Sequence, residues 1–127
     1  MKYVIEVPTI ETLETLTATA HRKGQAWILE NVCAEMENAA NLGEESYTLD
    51  LDNCPFKIDD FDVNEVQNTL REMNYFTNHA PRKRTLMVSW SFADKKNLQT
   101  LKDNNVCWRF KTRKESQEEM KALGFYC

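Results

Sequence analysis

The chain has 127 residues and a net charge of −4, with 42% hydrophobic and 28% charged residues and only three glycines and three prolines. That length suits one domain burying about two-thirds of its unfolded surface, and that balance excludes a disordered chain. No apolar run approaches the ~18 residues of a membrane span, and Glu6 and Pro8 interrupt the start where a signal peptide needs an unbroken apolar core.

A soluble protein of a reducing cytoplasm is therefore expected. Cys33, Cys54, Cys107 and Cys127 are far apart and form no C-x-x-C pair, so neither a disulfide framework nor a close-spaced zinc site is expected.

Taken in chain order, Lys2 to Val7 alternates weakly and predicts a short strand. Thr9 is placed to N-cap a long helix whose apolar positions, Ile10, Leu13, Leu16, Ala20, Trp27, Ile28, Val32 and Met36, recur at three- and four-residue steps to Leu42. Gly43 supplies the stop, and Gly24 with the threonines at 15, 17 and 19 suggests a bend near residues 17–24. Ser46 to Asp52 alternates as a half-buried strand with Tyr47, Leu49 and Leu51 inward.

Asp62 and Glu65 resemble a capping box opening a second helix with Val63, Val66, Leu70 and Met73 on its inner face. Tyr75 to Thr77 and Arg84 to Phe92 follow as strands, the second putting Leu86, Val88, Trp90 and Phe92 on its core face. Asp94 to Asp103 predicts a short helix, Val106 to Lys111 a strand, and Thr112 with Glu115 a capped last helix ending at Gly124. The interleaving predicts one α+β domain, 1–127, with a long N-terminal helix on a small antiparallel or mixed sheet and three shorter helices. Residues 1–91 form its core, and 92–127 a basic helix-strand-helix extension.

Charge is unevenly laid out. Residues 1–63 carry four Lys/Arg against thirteen Asp/Glu, whereas His79 to Lys114 carries ten cations and two acids. The stretch HAPRKRTLMVSWSF, residues 79–92, sits in that basic region and poses the question of a nucleic-acid grip. Stacking proteins need aromatics and cations on one surface, but the alternation turns Trp90, Phe92, Trp108 and Phe110 toward the core. An electrostatic surface of Arg82, Lys83, Arg84, Arg109, Lys111, Arg113 and Lys114 is what survives. Mutual neutralisation of the acidic and basic regions by packing is the competing expectation.

Three glycines exclude the phosphate-cradling loops, and neither G-x-S-x-G nor H-E-x-x-H occurs. His21 reads as a helix-surface residue and His79 as exposed in a turn before proline, so no acid–base machine is expected. Asp50, Asp52, Asp59, Asp60 and Asp62 supply the oxygen ligands of a weak Mg²⁺ or Ca²⁺ site, but no glycine turns this loop around an ion. No cofactor is expected.

The segments AEMENAANLGEESYTLDL, LREMNYFTNH and RTLMVSW together resemble a layout of small uncharacterised bacteriophage proteins. In that layout a long helix leads into a strand, then a helix closing on Gly-Tyr and a strand ending in Ser-Trp. The resemblance covers roughly Thr17 to Trp90. The chain departs from it with Asn74 where glycine is usual and with the basic tail from Phe92 onward. What the resemblance implies is a phage or prophage origin and action in a bacterial host cytoplasm, with no residue roles to carry over.

Three functions are then expected in order. The first is a non-catalytic binding protein that modulates a host process or defence by holding a host macromolecule or a signalling nucleotide. A nucleic-acid-binding accessory protein comes second, and a structural component of a virion or assembly third. Apolar positions along the first helix exceed what a small sheet can cover, so homo-oligomerisation through that helix is expected, with no membrane partner.

Overall fold

The computed structural model describes residues 6–106 and 108–122. Helix α1 (Ile10–Asn41) is followed by strand β1 (Ser46–Asp50), a 3-10 turn at Leu51–Asn53, helix α2 (Asp60–Glu72), strands β2 (Phe76–Ala80) and β3 (Thr85–Ser89), and helices α3 (Phe92–Asp103) and α4 (Arg113–Ala122). The sheet is wholly antiparallel in the order β1-β3-β2. The fold is therefore the α+β layout that the residue pattern predicts, led by a 32-residue helix about 48 Å long at 1.5 Å per residue. None of its described helices is long and apolar enough to cross a membrane.

Register places Leu49 opposite Leu86, and both Tyr47 and Thr77 opposite Val88, so one sheet face carries the apolar row. Helices α1 and α2 cover that face: Ile28 and Val32 from α1 and Val63, Val66 and Leu70 from α2 pack with Leu49, Leu51, Leu86 and Val88. Only the C-terminal half of α1 takes part.

Three helices end alike. Gly43 (φ 86), Asn74 (φ 71) and Asn105 (φ 51) follow α1, α2 and α3, and in each case that residue's own amide and the next one bond back to the last turn. This is the Schellman arrangement, which needs a residue tolerant of positive φ. Asn74 meets that need because a short amide side chain tolerates the left-handed region.

Several expectations shift. Asp59, not Asp62, caps α2: its carboxylate accepts from the Asp62 amide while the Asp62 carboxylate accepts from the Asp59 amide, a capping box one turn earlier than the sequence suggests. Strand β3 stops at Ser89, Ser91 caps α3, and Phe92 becomes a first-turn helix residue 78% exposed rather than a core aromatic. Met73, the C-cap of α2, is likewise exposed. His79 lies half-buried within β2 rather than in a turn. The expected strand at 106–111 does not join the sheet. The expected strand at Lys2–Val7 and the stop at Gly124 lie at or beyond the limits of the described residues; Glu6 and Val7 have no regular structure.

Helix α1 runs unbroken through Gly24, whose role is contact rather than bending. A Cβ built there meets Ile58 Cγ2 at 2.5 Å, so the missing side chain lets the 54–59 loop lie directly on the helix. Gly24→Ala should therefore reverse the usual gain of about 1 kcal/mol for that change in a helix, because overpacking against a β-branched neighbour costs ~1–3 kcal/mol. A lower thermal midpoint is expected for Gly24→Ala and a much lower one for Gly24→Leu; a raised midpoint in the alanine variant would contradict this close approach.

Candidate functional site

Helix α2 has two working faces. Val63, Val66 and Leu70 point into the core, and beside them Asn64, Asn68 and Arg71, spaced four and three residues apart, form a polar row along the same helix. That row grips the chain leading into α4. Arg71 Nη1 donates to the Trp108 carbonyl (3.2 Å), Asn68 both donates to the Phe110 carbonyl (2.9 Å) and accepts from the Phe110 amide (2.7 Å), and Asn64 donates to the Lys111 carbonyl (2.9 Å). Segment 108–112 thus lies along a helix as a strap, four of whose backbone groups bond side chains of α2. An alternating apolar pattern there is equally consistent with this and with a strand, which explains the missed expectation.

At its end the strap is fixed by charge. Arg113 donates to Asp59 (2.5 Å) and more distantly to Asp62 (3.4 Å). The Asp62 carboxylate is fully buried and also accepts from the Asp59 amide (3.1 Å) and from Gln25 (3.0 Å), with His21 Nδ1 at 2.6 Å. His21 is therefore a half-buried partner in a network joining α1, the start of α2 and the start of α4, not a surface residue. Partial burial pushes the Asp59 carboxyl up, but the Asp62 amide and the Arg113 guanidinium outweigh it and hold Asp59 below the usual carboxylate range. Burial pulls Arg113 down, and its bond and proximity to Asp59 raise it further than burial lowers it.

The five acids of the expected metal site separate. Asp50 accepts from the Asp52 amide and Asp52 pairs with Arg84, while Asp59 and Asp62 stand at the α2 N-terminus. Among the described residues, His21, Asp59 and Asp62 offer ligand atoms within 4.8 Å of one another. Arg113 already supplies the positive charge there, so a metal ion would have to displace it.

The seven cations of the expected electrostatic surface divide as well. Arg84 pairs with Asp52, Lys111 with Glu119, and Arg113 with Asp59 and Asp62. Two of these contacts, Arg84–Asp52 and Arg113 with its acids, join the acidic N-terminal half to the basic C-terminal half. Arg82 and Lys83 are exposed at the β2–β3 turn, Arg109 and Lys114 are exposed along and after the strap, and no ion pair among the described residues involves any of the four. Trp108 takes Lys102 and Arg109 over its ring (5.1 and 6.0 Å) rather than joining the core.

Arg71 is the residue that sequence reading missed. It is 5% exposed, bonds Thr77 through Nε (2.9 Å, to Oγ1) and Nη2 (2.7 Å, to the carbonyl), and lies between the rings of Phe110 (4.5 Å) and Phe76 (5.3 Å). Thr77 in turn donates to Gln67 Oε1 (2.9 Å). These groups line an open cavity of about 430 Å³ at the free edge of β2, together with Asn64, Asn78, His79 and Leu101. His79 is pushed below its ordinary value by burial, with Arg84 acting in the same direction and Asp60 against it. The available signal was the run Asn64, Gln67, Asn68, Arg71, a polar stripe adjacent to the apolar one.

Two further hollows lie elsewhere on the surface. One of about 430 Å³ is lined by Cys33, Met36, Leu70, Met73, Tyr75 and Trp90. The other, about 590 Å³, is open between the N-terminal half of α1 and α4, with Ile10, Leu13, His21, Arg113 and Gln117 along it. The chain matches no protein-family model, no curated protein and no solved structure.

Asp62→Ala removes half of the α2 capping box and the acceptor for Gln25, His21 and Arg113, and should lower stability by ~2–4 kcal/mol in urea unfolding. The pH dependence has a defined sign. Asp59 has a folded pKa below its unfolded value of about 3.9, so its contribution is present at neutral pH and is lost as pH falls below ~4 through the folded value. Asp59→Asn should therefore cost stability at pH 7 and little at pH 2.5; an equal cost at both would contradict the ion pair.

Proposed function

We propose that this chain is a small non-catalytic binding protein of bacteriophage type that modulates a bacterial host process by occupying a host macromolecule, and that it works as a homo-oligomer assembled through α1. The observation that carries this is an uncovered apolar row on the N-terminal half of α1: Ile10, Leu13 and Leu16 are 74%, 48% and 61% exposed, and Val7, just before the helix, is 82% exposed. Isolated exposed leucines are ordinary, but three large apolar residues at helical spacing, with an exposed valine leading into them, form a surface that association buries. A second copy of the chain fits it. Glu6, Glu11 and Glu14 precede Arg22 and Lys23 along the same segment, so antiparallel crossing sets the acidic end of each copy alongside the basic segment of its partner.

Light scattering at micromolar concentration should give an oligomeric mass, and Leu13→Glu with Leu16→Glu should give a monomer that keeps the parent's far-UV circular dichroism and loses only the stability that association supplies. Wild type monomeric under those conditions contradicts the assembly. For the binding role, a bacterial protein retained stoichiometrically by the wild-type chain is the expected outcome of affinity capture; retention of none contradicts it.

The second reading is a nucleic-acid accessory protein, favoured by the four exposed cations Arg82, Lys83, Arg109 and Lys114. Four phosphate contacts limit the dependence of log K on log salt to a slope of about −4 for duplex DNA. A steeper slope contradicts this set of contacts, and no binding at low salt removes the reading.

A further inference from the structure

The cavity at the edge of β2 presents hydrogen-bond donors that the protein itself does not use. A guanidinium has five N–H groups. Three of Arg71's are engaged, by Thr77 Oγ1, the Thr77 carbonyl and the Trp108 carbonyl, which leaves one on each terminal nitrogen. Its only hydrogen-bond partners among the described residues are neutral oxygens, and none of their ion pairs includes it. A buried cation without a counter-charge is costly, which makes Arg71 unlike Arg113, Arg84 and Lys111, each of which meets a carboxylate.

Gln67 adds a second, independent observation. It is 1% exposed, and its Oε1 accepts from the Thr77 hydroxyl at 2.9 Å. Its Nε2 has no partner among the described residues. Among the described residues every sealed side-chain nitrogen and oxygen does have one, so Nε2 is not sealed, and Gln67 lines the cavity. The rings of Phe76 and Phe110 flank the guanidinium and narrow the approach to it, which favours an in-plane, two-point contact.

We propose that this cavity binds an oxyanion group, a carboxylate or a phosphate, of a small ligand, held by the free N–H groups of Arg71 and by Gln67 Nε2. The donors exclude a metal cation as occupant. The volume of about 430 Å³ lies in the range of small-molecule sites, roughly 300–1,000 Å³, so the anion is one end of a ligand rather than the whole of it. The site is separate from the α1 row, and either assignment can fail without the other.

The test measures the thermal midpoint and calorimetric binding of the full chain with inorganic phosphate, adenosine 5′-monophosphate and benzoate, with chloride at matched ionic strength as reference. At least one of the three anions is expected to raise the midpoint by several degrees at saturation, at one site per chain. A response to the phosphates assigns a phosphorylated ligand and a response to benzoate a carboxylate. Gln67→Glu is the discriminating variant, because it keeps the acceptor for Thr77 and puts a carboxylate beside Arg71. It should raise the midpoint of the unliganded protein and weaken anion binding at least tenfold, and Arg71→Lys should weaken it through loss of the two-point contact. No shift with any of the three anions, or undiminished binding to Gln67→Glu, overturns the proposal.

Discussion

The Asp62 carboxylate is the point at which the chain's separate pieces become one structure. It is fully buried and accepts from the Asp59 amide, Gln25 and, at longer range, Arg113, with His21 Nδ1 at 2.6 Å. A carboxylate in that position is tolerated only because its partners are supplied from three elements, and each element is thereby committed to one placement. The apolar core holds α1, α2 and the sheet together without orientation. Asp62 fixes which turn of α1 faces the start of α2 and where α4 begins.

From that point the polar row of α2 extends the same logic down the helix. Asn64, Asn68 and Arg71 each take a backbone group of the strap, so the C-terminal third is attached by hydrogen bonds more than by burial. Of the large apolar residues described after strand β3, Leu98 is the one that is fully buried, while Val106 and Met120 are substantially exposed. The arrangement also accounts for the uneven charge of the sequence. Cations of the basic half reach acids of the acidic half at Arg113 and Arg84, and the exposed pair Arg84–Asp52 contributes ~0–1 kcal/mol, which makes it more a matter of placement than of stability.

Much of the fold was legible because local signals agree with the outcome. Thr9 caps α1, Gly43 stops it, Leu49 and Leu86 sit at the inward positions their alternation assigns, and Thr112 precedes a helix whose third residue is Glu115. The failures share a cause. Phe92 and Val106–Lys111 alternate as strands do, but Ser91 offers a helix cap that ends the alternation, and the strap finds its hydrogen bonds on α2 side chains instead of on a sheet edge. The cavity was hidden for a related reason. Arg71 in sequence is one cation in a helix; only the fold buries it between Phe76 and Phe110 with no carboxylate bonded to it among the described residues.

Side chains of α2, rather than a sheet ladder or apolar packing, hold the strap in place. Native-state hydrogen exchange at the Phe110 amide tests it most directly, since that amide donates to Asn68 Oδ1 and, among the described residues, to no backbone acceptor. Protection in the wild-type protein, lost in Asn68→Ala while the amides of β1 and β3 keep theirs, is the predicted result. An unprotected Phe110 amide in the wild type, or protection that survives in Asn68→Ala, would contradict the account.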